Sequence, residues 1–221
     1  MNPRTTAVLA IDFQNEYRRV AAYPVEGYDA ILANAAAVIA AARAARVPVI
    51  HAQAWIEDAA KGDYKLLHEG LAPELRSAVA DSPGAAICAE VAPLSGEAVI
   101  RKAWPSAFRD TTLGDALSRL GIQHLLTLGV WSDSCVRASV FDAVFAGYRV
   151  WLVKDACGSG TETMHRAAVL DMANRLYGGG VLRAAEANKA LQAKAYTAWK
   201  CARPVEFLYR IETIDSLYEA L

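Results

Sequence analysis

Short apolar runs alternate along this chain with longer segments of helical period. The runs Thr6 to Ile11, Val47 to Gln53, Glu97 to Lys102, Ile122 to Val130 and Tyr148 to Val153 are rich in Val, Ile and Leu and read as buried strands. Between them, Asp29 to Arg46 places Ile31, Ala35, Val38, Ile39 and Ala42 on one helical face, and Thr112 to Leu120 reads as a helix stopped by Gly121. Further helices are predicted from Cys135 to about Gly147, from Thr161 to Leu176 and from Glu186 to Ala193, with Gly180-Val181-Leu182 as a short last strand. A helix is also expected around Pro73 to Ala80, inside the otherwise polar and irregular stretch from Glu57 to Pro83. Apolar strands alternating with helices predict an α/β fold, a three-layer doubly wound sandwich of Rossmann type about a parallel sheet.

Composition narrows the class. With 221 residues, 54% of them hydrophobic, the chain has material for one substantial core. A main domain over residues 1–194 and a C-terminal extension over residues 195–221 are expected. The extension carries Tyr196, Trp199, Phe207, Tyr209 and Tyr218, more aromatic surface than a free tail keeps in water, so it should dock on its own or a neighbouring subunit. A homo-oligomer, dimer or tetramer, is expected. The formal net charge of -1 provides no basic field, which argues against nucleic acid and anionic membranes as partners. No apolar run approaches the roughly 20 residues of a membrane span, and the N-terminus leads into a strand without a cleavable signal pattern. A soluble cytoplasmic protein is the expectation. Cys88, Cys135, Cys157 and Cys201 are scattered without CxxC spacing and are expected to be reduced.

Candidate chemistry gathers at strand ends, where open α/β sheets bind ligands. Asp12 closes the first strand, Lys102 the third, and Cys135 follows the fourth at the start of a helix. Helix N–H groups should favour its thiolate. Tyr17, Trp55, Trp104 and Phe108 also lie just past strand ends, where they would wall a pocket for a flat amide or ring, or else cover the core edge. Gln14 and Ser106 are candidate hydrogen-bond donors to substrate or to neighbouring backbone. Arg137 would grip a substrate carboxylate or form a structural ion pair. His51, His68, His124 and His165 lack ligand spacing and receive no catalytic role. Gly158 and Gly160 suggest a phosphate loop only weakly, because the turn from Asp12 to Arg18 has no glycine and the dinucleotide fingerprint is missing.

Three segments taken together resemble the isochorismatase-like cysteine hydrolases: Asp12 within Ala10-Ile11-Asp12-Phe13-Gln14-Asn15-Glu16-Tyr17, Lys102 within Arg101-Lys102-Ala103-Trp104-Pro105-Ser106-Ala107-Phe108, and Gly129-Val130-Trp131-Ser132-Asp133-Ser134-Cys135-Val136. The resemblance runs from about residue 5 to 193. It implies a six-stranded, mostly parallel sheet, an Asp12-Lys102-Cys135 triad, a cis peptide between Val130 and Trp131, and an oxyanion hole from the backbone N–H groups of Trp131 and Cys135. Metal-containing nicotinamidases of that family carry Asp-x-His after the second strand, where this chain has Gln53-Ala54-Trp55, so neither a metal nor another cofactor is expected. What the resemblance then implies is an amidohydrolase that cleaves a C–N bond in a small carbamoyl, ureido or carboxamide compound through a thioester. Two alternatives stand beside it: vinyl-ether cleavage of the isochorismatase type with Asp12 as acid, and a non-catalytic binding or redox-thiol protein using Cys135 alone.

Overall fold

The computed structural model of the protein describes residues 1–18, 22–57 and 69–221. Strands β1 (Thr6–Ile11), β2 (Val49–Ala54), β3 (Ala98–Lys102), β4 (His124–Val130), β5 (Arg149–Gly158), β6 (Gly180–Leu182) and β7 (Trp199–Lys200) form one sheet in the order β3-β2-β1-β4-β5-β6-β7. All neighbours are parallel except β6 and β7. Every residue of β1 and β4 is buried. Since successive side chains point to opposite faces, such strands need helices on both sides, which is why they read as continuous apolar runs.

The helices are α1 (Tyr28–Ala44), α2 (Leu113–Arg119), α3 (Arg137–Phe145), α4 (Glu162–Ala173), α5 (Ala184–Leu191) and α6 (Ile214–Glu219). Helix α1 buries Ile31, Leu32, Ala35, Val38, Ile39 and Ala42, and packs against β5 and α5. Helix α4 packs against β5, α3 and α6. Thr161 caps α4, its hydroxyl accepting from Met164 N–H at 3.1 Å. Among the described residues, no helix is long and apolar enough to cross a membrane.

Three elements differ from the pattern reading. A seventh strand, β7, adds antiparallel to β6; two residues carry no periodicity to read. Strand β5 continues through Lys154 and Asp155 to Gly158, because both polar residues find partners inside the fold: Lys154 Nζ donates to Tyr218 O at 2.7 Å, and Asp155 Oδ1 accepts from Ala184 N–H at 2.7 Å. The helix expected around Pro73 to Ala80 is only a 3-10 turn, Pro73–Leu75. Beyond it Ala78 adopts a left-handed backbone (φ 56) and the chain bridges from Val79 to Ile56 instead. The C-terminal extension packs on its own chain, with Phe207, Ile214 and Tyr218 buried.

The switch in strand order falls between β1 and β4, since the chain winds outward through β2 and β3 and then returns to the other side of β1. A crevice opens there at the carboxyl ends of the strands. Gly129 makes the approach possible. It sits at φ 143, and a Cβ on it would lie 2.2 Å from the Ile11 carbonyl oxygen. Gly129→Ala should therefore destabilise the fold by about 3 kcal/mol or more, from overpacking and backbone strain together. Thermal unfolding of the variant checks this, with a drop of several degrees expected.

Candidate active site

Asp12 leaves β1 in a left-handed conformation (φ 52), which turns its side chain back across the end of the sheet. Its Oδ1 accepts from Ala54 N–H, the last residue of β2, at 2.8 Å. Its Oδ2 lies 2.8 Å from Lys102 Nζ at the end of β3. Lys102 also donates to Trp104 O at 3.3 Å. Both charges are buried, Asp12 at 0% and Lys102 at 3% exposure. After β4 the Val130–Trp131 peptide is cis, and a π-turn, Ser132–Val136, delivers Cys135 beside Asp12 and Lys102, near enough for both to shift its thiol. The structure thus gathers all three strand-end residues.

Electrostatics of the trio correct one expectation. Burial, reinforced by Asp12, raises the Cys135 thiol to about 12 against the pull of Lys102, so the sulfur stays protonated at neutral pH. Helix N–H groups do not decide the matter, because Cys135 lies within the π-turn and ahead of α3. Burial works against the Lys102 ammonium, but Asp12 and Cys135 outweigh it and hold its pKa above the ordinary lysine value.

Lys102 and Cys135 line a cavity of about 310 Å³, and the fully buried Asp12 sits behind them. Tyr17, Trp104, Pro105, Trp131, Ile56, Leu71 and Leu75 give the cavity an aromatic and apolar lining, beside Tyr23, Ser77 and Ser134. Tyr17 meets Trp131 edge to face at 5.9 Å. Gly160 leaves room for that indole, since a Cβ there would come within 2.9 Å of Trp131 Cζ3. Glu16 fixes the far rim, its carboxylate accepting from Ala78 N–H at 2.9 and 3.0 Å; burial raises its pKa above the usual carboxylate value.

Several candidates lie elsewhere. Gln14 is fully buried and spent on backbone: Nε2 donates to Ala54 O and Ala85 O, and Oε1 accepts from Ala54 N–H. Trp55 does not line the cavity; it lies under the Arg101 guanidinium at 3.9 Å, because its neighbours Ala54 and Ile56 take the inward positions. Phe108 packs on Tyr148 at 6.0 Å, outside the cavity. Ser106 donates to the Asp142 carboxylate at 2.5 Å, neither substrate nor neighbouring backbone, and Arg137 pairs with Asp171 at 2.9 Å, the structural option for that residue. Gln53 donates to Ala85 O at 2.8 Å, so the Gln53-Ala54-Trp55 segment presents no metal-binding donor set. Among the described residues no group of three His, Cys, Asp or Glu is placed to hold a metal. His68 lies outside the described residues. The rim residues Tyr23, Leu71, Leu75 and Ser77 escaped sequence reasoning, because they come from irregular chain with no period. Glu16 and the Ile56 bridge carried no signal either.

Removing the Asp12 charge should let the thiolate form at lower pH, because a carboxylate repels it while the Lys102 ammonium remains. Thiolate ultraviolet absorbance, taken as the difference between Asp12→Asn with and without Cys135→Ala, should titrate below the value of about 12 in the parent protein. An unshifted titration would remove Asp12 from the electrostatics of the thiol.

The isochorismatase-domain profile matches residues 6–186. Maleamate amidohydrolase from Pseudomonas putida is 32% identical over 181 residues, covering 81% of this chain and 84% of its own. Ureidoacrylate amidohydrolase RutB from Acinetobacter baylyi is 28% identical over 191 residues, covering 77% and 78%. The crystal structure of an isochorismatase family protein from Desulfovibrio vulgaris superposes with a TM-score of 0.75 at 31% identity, covering 86% of this chain and 99% of that one. With its doubly wound sheet, its strand-end trio and a family match over most of its length, the chain belongs to the isochorismatase family.

Proposed function

We propose that the protein is a cysteine hydrolase that cleaves the C–N bond of a small amide through a thioester on Cys135. The observation that carries this reading is the contact of thiol, carboxylate and ammonium beside one open cavity. Relatives named maleamate and ureidoacrylate amidohydrolase support it.

A protonated thiol is a weak nucleophile, and an amide carbonyl is a weak electrophile. Asp12 takes the thiol proton as sulfur attacks, and Lys102 keeps the carboxylate oriented and the local charge balanced. The backbone N–H groups of Trp131 and Cys135 stabilise the oxyanion, each such donor supplying about 3 to 4 kcal/mol in acyl transfer. Asp12 then hands its proton to the departing ammonia or amine. Water, deprotonated by the same carboxylate, hydrolyses the thioester and restores Cys135.

The lining of Tyr17, Trp104 and Trp131 together with Ile56, Leu71 and Leu75 suits a substrate whose non-reacting part is flat and apolar. Vinyl-ether cleavage by Asp12 alone would leave the thiol contact without a role.

Ammonia release from a panel of small carboxamides, ureas and carbamoyl acids tests the reading. Cys135→Ala should lower kcat by roughly a thousandfold or more while the fold persists, and an acyl adduct on Cys135 should be captured by mass spectrometry of the quenched native enzyme. Undiminished turnover in Cys135→Ala would reject the thioester route.

A further inference from the structure

Ser132 opens the turn that carries Cys135, and its side chain is fully buried. Ser132 Oγ lies 2.9 Å from the Gly158 carbonyl oxygen and 2.7 Å from His165 Nδ1. His165 Nε2 lies 3.0 Å from the Tyr218 hydroxyl, and the two rings meet edge to face at 5.5 Å. His165 and Tyr218 are themselves buried.

Proton counting orders this chain. A carbonyl only accepts, and a serine hydroxyl has one proton to give. Donation from Ser132 to Gly158 O leaves His165 Nδ1–H as donor to Oγ, and Nε2 as acceptor from Tyr218 OH. Burial lowers the His165 pKa to about 4, so the ring is neutral at physiological pH and has one N–H to place. The Lys154 carbonyl also accepts from the His165 ring, and with Ser132 ordered on Gly158 O the side-chain bonds run from Tyr218 through His165 and Ser132 to Gly158.

The far end of the chain is firmly held. Lys154 Nζ donates to Tyr218 O at 2.7 Å and stands 4.4 Å over the Tyr218 ring. Arg166 of α4 pairs with Asp215 of α6 at 2.7 Å, and Arg183 pairs with Glu219 at 2.9 Å. Tyr218 lies beyond residues 6–186, the span matched by the family profile.

We propose that His165 and Tyr218 are positioning residues, and that this hydrogen-bonded chain lets the C-terminal helix fix the Trp131–Cys135 turn. The extension thereby completes the nucleophile's setting without touching substrate. Only the kinetic part of the test rests on the hydrolase reading.

Tyr218→Phe removes one hydroxyl and keeps both the ring and the carbonyl that Lys154 uses. Histidine nitrogen NMR of the native protein should show His165 as the Nδ1–H tautomer. In Tyr218→Phe the tautomers should mix, and the backbone amide signals of Ser132 to Val136 should move while that of Ala54 stays. On the best amide of the panel, kcat should fall about tenfold with KM within about twofold, the sign of a displaced turn and not of a damaged pocket. An Nε2–H tautomer in the native protein overturns the ordering. A lowered Tm with turn amides unchanged makes Tyr218 merely structural and overturns the proposal. If no amide is turned over, the hydrolase reading fails, and the turn amides alone decide whether the coupling exists.

Discussion

The buried Asp12–Lys102 ion pair is the constraint on which the strand ends depend. Taking each charge out of water costs several kcal/mol, and the pair persists only where the remaining lone pairs and protons are answered. Here they are. Ala54 N–H meets one carboxylate oxygen, the ammonium meets the other, and Trp104 O takes a further lysine proton. Those groups come from the ends of β1, β2 and β3 and the turn that follows, so satisfying the pair fixes three neighbouring strand tips relative to one another.

Sheet order then decides what that fixed platform faces. Because β4 lies directly beside β1, the turn after β4 arrives next to Asp12, and the close approach at Gly129 leaves little freedom in how it does so. Cys135 meets a platform whose two charges nearly cancel. A lone lysine there would hold a thiolate in the resting state. A lone carboxylate would oppose one throughout. The pair does neither: it keeps the thiol protonated yet supplies an acceptor for its proton at contact distance.

Sequence made the central part of this legible because burial leaves a pattern. The continuous apolar runs of β1 and β4 marked the middle of the sheet; Asp12 at the end of β1 stood out against that background, as did Lys102 at the end of β3. The cavity wall left no such mark. Leu71, Leu75 and Ser77 belong to irregular chain, where neither a period of 2 nor of 3.6 exists to be read. Trp55 and Phe108 show a second limit: position after a strand end does not fix which way a side chain points, and both turned away from the cavity. Gln14 shows a third, since an amide beside a strand-end carboxylate looks like a substrate ligand until its backbone partners are seen.

Lys154 and Asp155 explain why the C-terminal extension belongs to the site's architecture. In the middle of a sheet, two ionisable residues at the end of an apolar run signal the end of a strand, yet β5 continues through both to Gly158. It does so because the extension brings the Tyr218 carbonyl to Lys154, while the start of α5 gives its Ala184 N–H to Asp155. Without the first of these partners a buried ammonium would be left unanswered, at a cost that favours fraying of the strand's end. That end pairs with Gly129 and Val130 across the register shift, and its Gly158 carbonyl accepts from Ser132. Support therefore passes from the extension into β5, and from β5 into the turn that carries Cys135, through backbone as well as through His165.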